Sequence, residues 1–431
     1  DDLRLLMPLF NDCVMRLGTP NRSMEQWEDL IKLKTGGVST SSYLVSSPTA
    51  LDEFKEGLQF SGYALDKHVP EMLDIIRTLV AETDFTSEAA PRMILELLRL
   101  TTNGALDTVA SSGHRFAANA AAAMLNRNHW IQEQQGGLTQ LQATADLLRE
   151  AETDPDRLRE LIDKLRQIQS FAISNSSKLR VRMVCEPGQT AANESTLQKW
   201  LSSLPPAAQL PAAVNEEERT LLNKQHAKML LYDMPYKVYY SGLAMETVPF
   251  TDPSSAPLSV LSQLLTHKFL HPEIREKGGA YGAGAGNAPL KGLFTLSSYR
   301  DPNPSNTMNV FKRAGVFARD RAWTEQELEE AKLSIFQSLD APTSVDEEGQ
   351  RYFMSGVTDE MDQRWREQVL DVNAKDVSEV AHEFLVNDAR QRALCILGER
   401  KDLAQSDEWT VRKLSLQAQA EEPVDVNEAT A

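Results

Sequence analysis

Leu270-His-Pro-Glu-Ile-Arg-Glu-Lys-Gly-Gly-Ala-Tyr-Gly282 sets one arginine and one tyrosine around a Gly-Gly pivot. Proline is tolerated at a first helical position, so Pro272 predicts the start of a short helical turn that carries Arg275. Gly278-Gly279 then lets the backbone turn sharply, and Tyr281 is expected to begin a strand. A planar five-donor cation and a phenol would thus point toward one space, where both can hold the carbonyl oxygens of a bound peptide.

Working outward, the pivot is one of a pair. Lys34-Thr-Gly36-Gly37 recurs as Glu276-Lys-Gly278-Gly279 at an offset of 242 residues. Gly57-Leu-Gln-Phe-Ser-Gly-Tyr-Ala-Leu-Asp66 echoes Gly292-Leu-Phe-Thr-Leu-Ser-Ser-Tyr-Arg-Asp301, and Phe85-Thr-Ser-Glu88 matches Trp323-Thr-Glu-Gln326. Each copy predicts helix, Gly-Gly, strand pair, helix and a capped helix. In the second copy Leu258, Leu261, Leu264, Leu265 and Phe269 recur at three- and four-residue steps, so that helix buries one face. Leu179–Cys185 and Arg392–Leu397 read as strands that complete the sheets, the first alternating and half-exposed, the second apolar throughout and central. Helices on one face of a mostly antiparallel sheet, twice over, give an α+β class with two tandem homologous domains.

The expected organisation is a domain over 1–204, without its first strand and with a helical insertion over 117–171. A proline-broken linker over 205–225, a second domain over 226–415 and a loose acidic tail over 416–431 follow. A break near Asp154-Pro155 divides the insertion into a helical pair. Shifted by the repeat offset, Arg275 and Tyr281 become Leu33 and Ser39, so only the second copy carries the polar pair.

Other motifs weaken on inspection. Gly278-Gly-Ala-Tyr-Gly-Ala-Gly-Ala-Gly286 lacks the third glycine of a dinucleotide fingerprint and the Gly-Lys-Ser/Thr of a phosphate loop. Its glycines, Gly278, Gly279 and Gly282 among them, instead let another backbone approach, and the small residues leave a sheet edge to which an extended peptide can add. Ser111-Ser-Gly-His114 reads as a loop in which serine and histidine do not meet productively. Arg300-Asp301 reads as a turn with a local ion pair. His267 and His271 share a helix face, but Lys268 stands where a zincin places its glutamate.

Of 431 residues, 41% are hydrophobic and 25% charged, with no apolar run of membrane-spanning length. The chain opens without methionine and without a leader of its own, and reads as a piece of a longer protein. Cys13, Cys185 and Cys395 are too few and too scattered for a disulfide framework, and the last two sit in apolar runs that predict burial. With 62 acidic and 45 basic residues, the net charge of −17 opposes nucleic acid and anionic membrane as partners. It favours basic peptides.

The Arg275–Tyr281 pair, six residues apart across Gly278-Gly279 and set in a duplicated frame, resembles the C-terminal half of pitrilysin-type (insulinase-type) inverzincin metallopeptidases. The likeness runs through most of the chain. It implies that Arg275 and Tyr281 bind substrate and support the transition state near the scissile bond. It implies further that zinc sits on an inverted H-x-x-E-H helix in the N-terminal half, the partner of this one. None of His68, His114, His129, His226, His267, His271 and His382 frames that motif, and the helix over Leu3–Leu17, in the corresponding place, has no histidine. This chain is therefore expected to hold no metal or cofactor and to be inactive alone. The two halves would degrade unfolded basic peptides such as presequences in the mitochondrial matrix. A zinc-free structural or partner subunit of the same family is the other reading, and such a subunit has little reason to keep Arg275 and Tyr281 at this spacing.

Overall fold

The computed structural model describes residues 2–175, 178–206, 229–401, 403 and 408–416. Most of the expected linker and the tail from residue 417 lie outside them. The first copy comprises α1 (Asp2–Leu5), α2 (Met7–Val14), α3 (Met24–Lys34), the strands β1 (Gly37–Ser46) and β2 (Phe54–Tyr63), then α4 (Val69–Glu82) and α5 (Ala90–Ala123). There follow α6 (Arg127–Gly136), α7 (Leu138–Thr153), α8 (Pro155–Ala172) and α9 (Thr190–Ser203). The second copy runs β3 (Met229–Asp233), β4 (Tyr239–Glu246), α10 (Ser255–Leu265), β5 (Gly282–Ala288), β6 (Leu293–Asp301) and α11 (Pro304–Asp320). It ends with α12 (Glu325–Leu339), α13 (Gln350–Ser355), α14 (Asp359–Asp371), α15 (Ala374–Val380), β7 (Arg392–Gly398) and β8 (Trp409–Lys413).

The duplicated frame is present: helix, Gly-Gly and antiparallel hairpin recur as α3, β1 and β2, then as α10, β5 and β6. Its surroundings differ. In the second copy the hairpin joins a six-stranded sheet of order β5-β6-β4-β7-β3-β8, antiparallel except that β3 runs parallel to β7 and β8. The apolar run Ala393–Leu397 is buried at its centre, as its composition predicts. In the first copy, among the described residues, β1 and β2 pair only with each other.

Leu179–Cys185 forms no strand, contrary to its alternating pattern. Its arginines are drawn to backbone carbonyls of the second copy: Arg182 Nη1 donates to Asp346 O and Glu348 O, each at 2.8 Å. Arg180 donates to Phe353 O and lies 4.8 Å above the Phe353 ring. Cys185 is consequently half-buried, whereas Cys13 and Cys395 are enclosed.

Local capping fixes several helix starts. Thr324 and Glu327 form a reciprocal capping box for α12, and Asp154 caps α8 with Pro155 in its first turn, so the break falls where proline puts it. The corresponding cap in the first copy is missing. Thr86 instead closes a turn on Asp84 Oδ1 at 2.9 Å, and α5 begins at Ala90 without a side-chain cap. Residue 117 therefore lies inside this long helix.

One face of the six-stranded sheet packs on α10, α11 and α12 through Leu261, Leu265, Phe294, Leu296, Val310 and Leu328. The other face is covered by α5, a helix of the first copy. Ala105, Val109, Gly113, Ala117 and Ala121 recur every four residues and make one shallow ridge. The ridge lets the helix backbone meet the sheet backbone: a Cβ on Gly242 of β4 would lie 2.3 Å from the Ala118 nitrogen. Tyr232, Tyr240, Ala244 and Leu397 complete this second core.

Glu133 of α6 is enclosed close to the same junction. Its Oε1 accepts from the Thr139 N–H at 3.0 Å in the first turn of α7, while Oε2 is buried without a close hydrogen-bond partner among the described residues. Burial pushes the carboxyl up to about 7, against hydrogen bonds from Thr139 and Leu138 and the attraction of Arg412.

Two outcomes are expected. Gly242→Val forces a branched side chain into the Ala117-Ala118 backbone and lowers stability by about 3 kcal/mol, read as a shift in urea midpoint. For Glu133 the folded pKa lies above the unfolded value of 4.5, so the native state holds a proton that the unfolded chain releases. Its stabilising contribution is complete below that value and is lost as pH rises through about 7. Glu133→Gln keeps an acceptor and flattens the dependence, gaining on the order of 2 kcal/mol over the parent near pH 8 and little near pH 5.

Candidate substrate-binding site

The helix before the pivot does not stop at Pro272. It widens into a π-helix over Thr266–Glu276 with the proline inside, because the wider turn tolerates the missing N–H. Lys277 N donates to Pro272 O at 3.1 Å, and Ala280 N to Ile274 O at 3.1 Å. At Gly278 a Cβ would meet the Ile274 carbonyl oxygen at 2.5 Å, and Gly279 takes φ +80°, so both glycines are required by the turn itself. Gly282 has open space above it, where a Cβ would meet only Tyr299 Cβ, at 3.8 Å.

Arg275 and Tyr281 emerge on the two sides of this closed turn, both exposed. The Arg275 carbonyl accepts from Gly279 N at 3.0 Å, while its guanidinium has no hydrogen bond or ion pair among the described residues. The nearby carboxylate of Glu273 is taken by Lys277 and by Arg313, 3.5 Å away. Arg275 does lie close enough to His271 that burial, His267 and then Arg275 hold that imidazole below the usual histidine range. Tyr281 is 72% exposed; its N–H donates to Arg300 O at 3.4 Å and its ring meets Tyr299 edge-on at 5.7 Å.

Arg300 adopts φ +48°, a left-handed backbone that side chains disfavour. It forms no pair with Asp301. That carboxylate is buried and accepts from Asn303 N at 2.8 Å and from the Thr307 hydroxyl at 2.5 Å, tying the strand end to α11. The Arg300 guanidinium lies 5.3 Å over the Tyr299 ring and beside the Tyr240 phenol. The expected turn ion pair is thus replaced by a cation on an aromatic face.

His114 also belongs here. Ser111-Ser112-Gly113 lies inside α5 at a kink, with Ser112 at φ −137°, and not in a loop. Ser111 Oγ bonds Thr108 O at 2.8 Å and leaves the histidine alone. The His114 ring instead meets Tyr299 edge-on at 5.0 Å, and burial, with Arg115 beside it, lowers its pKa. Its place beside the site has no local signal in the sequence, since it depends on α5 crossing to the second sheet.

The outer edge of β5 is not open to a further strand. Ala285 N donates to Thr266 Oγ1 at 2.8 Å, and the His271 imidazole hydrogen-bonds the Ala283 backbone. Side chains of the π-helix thus occupy two successive outward-facing positions of the strand. Addition of a peptide at this edge would have to displace them.

The His267 and His271 rings stand edge to face at 5.4 Å, and no group of three or more His, Cys, Asp or Glu side chains suited to a metal occurs among the described residues.

Two copies of an α+β hairpin frame, with one long helix of the first packed on the sheet of the second, form an α+β architecture of the pitrilysin type. Solved structures agree on the architecture. A protease from Helicobacter pylori superposes with a TM-score of 0.61 at 12% identity, over 91% of this chain and 89% of that one. A peptidase M16 inactive domain from Pseudomonas fluorescens gives 0.58 at 13%, over 91% and 87%. Residues 1–147 match the family described as associated with peptidase M16, subfamily C, and residues 231–397 the one described as PreP C-terminal domain. A mitochondrial presequence protease of Aspergillus fumigatus is 69% identical over 99% of this chain and 39% of its own length. These two stretches match M16 peptidase families, and the chain is similar to the C-terminal part of presequence proteases, spanning about two fifths of the length of the curated relatives it matches.

The capped edge gives a direct expectation. Thr266→Val keeps shape but removes the acceptor for Ala285 N–H, so amide exchange at Ala285 accelerates by roughly tenfold or more in an exchange experiment.

Proposed function

We propose that this chain is the substrate-binding, zinc-free part of a zinc metalloendopeptidase that degrades unfolded peptides, mitochondrial presequences among them, in a closed chamber within the mitochondrial matrix. The observation that supports the reading is the pair at the pivot: a guanidinium on Arg275 with no partner among the described residues and Tyr281 72% exposed, carried on the two sides of one closed turn. An arginine left without a carboxylate among the described residues, in a chain of net charge −17, is available to a ligand. The relatives' printed name, presequence protease, supports the substrate class. Metal and activated water belong to the part of the relatives that this chain does not cover.

In this reading the guanidinium fork and the phenol hold carbonyl oxygens of the peptide backbone on either side of the bond to be cut. That choice of ligand does not depend on peptide sequence. The turn that carries both donors is closed by backbone hydrogen bonds before substrate arrives, so less reorganisation is needed to bring them to a developing oxyanion. Basic peptides are drawn in by the acidic surplus of the whole chain, and folded proteins are excluded by size. Because the β5 edge is capped, the grip falls to these side chains more than to strand addition.

The test is cleavage of a fluorogenic, Arg-rich presequence peptide by this chain alone and by a mixture with the remaining N-terminal part, with and without chelator. Activity confined to the chelator-sensitive mixture is the expected result, and cleavage by the isolated chain would sink the proposal. In the active mixture Arg275→Ala lowers kcat by on the order of a hundredfold, and Arg275→Lys recovers little of it because an ammonium lacks the planar fork. Silence of the associated mixture would favour a structural subunit.

A further inference from the structure

Tyr281 is an exposed ring with few neighbours, so something must hold its direction if it is to serve as a fixed donor. The ring contacts continue inward from it without a break. Tyr281 meets Tyr299 at 5.7 Å and 76°. Tyr299 in turn meets His114 at 5.0 Å and 74°, and Tyr240 at 5.6 Å and 54°. Tyr240 meets Tyr236 at 5.7 Å and 82°. The inner end is anchored to backbone: Tyr240 OH donates to Ala110 O at 2.9 Å and Tyr236 OH to Leu106 O at 2.8 Å, one turn apart on α5. A Cβ on Gly113 would lie 2.4 Å from the Tyr240 ring, so the kinked stretch of α5 is seated directly on this column.

We propose that Tyr299, backed by His114, is a positioning residue for Tyr281, so that the first copy of the fold sets the direction of the second copy's substrate-gripping phenol. The inference rests on the reading of Tyr281 given above. Edge-to-face geometry is directional, and each such contact restricts the ring it touches. Tyr299 is itself fixed from three sides, by His114, by Tyr240 and by the Arg300 guanidinium over its face. The strained left-handed backbone of Arg300 serves the same end, since its carbonyl receives the Tyr281 N–H while its side chain covers Tyr299. Loss of the polar pair from the first copy therefore did not remove that copy from the site.

The experiment uses the full-length protein that carries this chain and follows kcat and KM on a fluorogenic presequence peptide. Tyr299→Leu is expected to lower kcat roughly three- to tenfold with KM little changed, and Tyr299→Phe, which keeps the ring, to restore it. In a Tyr281→Ala background, Tyr299→Leu should cost nothing further. If Tyr299→Leu does not fold, His114→Leu against His114→Phe is read in the same way. A full Tyr299→Leu loss on top of Tyr281→Ala overturns the inference, and so does an unaffected Tyr299→Leu beside an impaired Tyr281→Ala. In both of those cases the role of Tyr281 stands. An unaffected Tyr281→Ala removes that role and the inference with it.

Discussion

The close approach of α5 to β4 is the constraint on which the rest of the structure depends. Small residues every fourth position, from Ala105 to Ala121, let a helix backbone lie on a sheet backbone at Gly242, a distance no ordinary ridge of leucines permits. That contact supplies the second layer of the six-stranded sheet, and it brings Leu106, Ala110 and His114 beneath the end of β6. Without it Tyr240 would lose its acceptor and the aromatic column its base. The two sequence copies therefore share a core layer. One contributes a core helix to the other.

The site is built mainly from backbone geometry. The π-helix brings Thr266 and His271 to the edge of β5, and the Gly278-Gly279 turn returns the chain so that Tyr281 begins beside Arg300. Charge is arranged by pairing: Glu273 is occupied by Lys277 and Arg313, and Asp301 by α11, which leaves Arg275 and Arg300 without carboxylate partners among the described residues. Pairing of the acids is what makes the cations available.

Much of this was legible in the sequence where the determinants are local. Gly-Gly before an alternating stretch marks both hairpins, the apolar run Arg392–Leu397 reads as the central strand, and Asp154-Pro155 marks a helix boundary. Arg275 and Tyr281, singled out by their spacing, are both exposed. What escaped reading is tertiary. The alternation of Leu179–Cys185 predicts a strand, yet Arg180 and Arg182 find carbonyl acceptors in the second copy that outweigh a ladder. Ser111 to His114 look like a loop because serine and glycine break helices, but here they kink one whose remaining residues are committed to the sheet. Pro272 looks like a helix start because its cost in an α-helix is high, and the wider π-turn removes that cost. The ridge at four-residue intervals was present in the sequence, and its recurrence is the signal that could have placed α5.

The capped edge of β5 has a consequence beyond the grip on substrate. Gly282–Ala288 is flat, uncharged and almost without side chains, the kind of edge strand on which unfolded chains nucleate aggregates. Under the function proposed above, the protein would meet such chains continually. Thr266 and His271 occupy backbone positions that an incoming strand would need first, so this edge is guarded against templated fibre growth while the exposed Arg275 and Tyr281 side chains beside it stay uncovered.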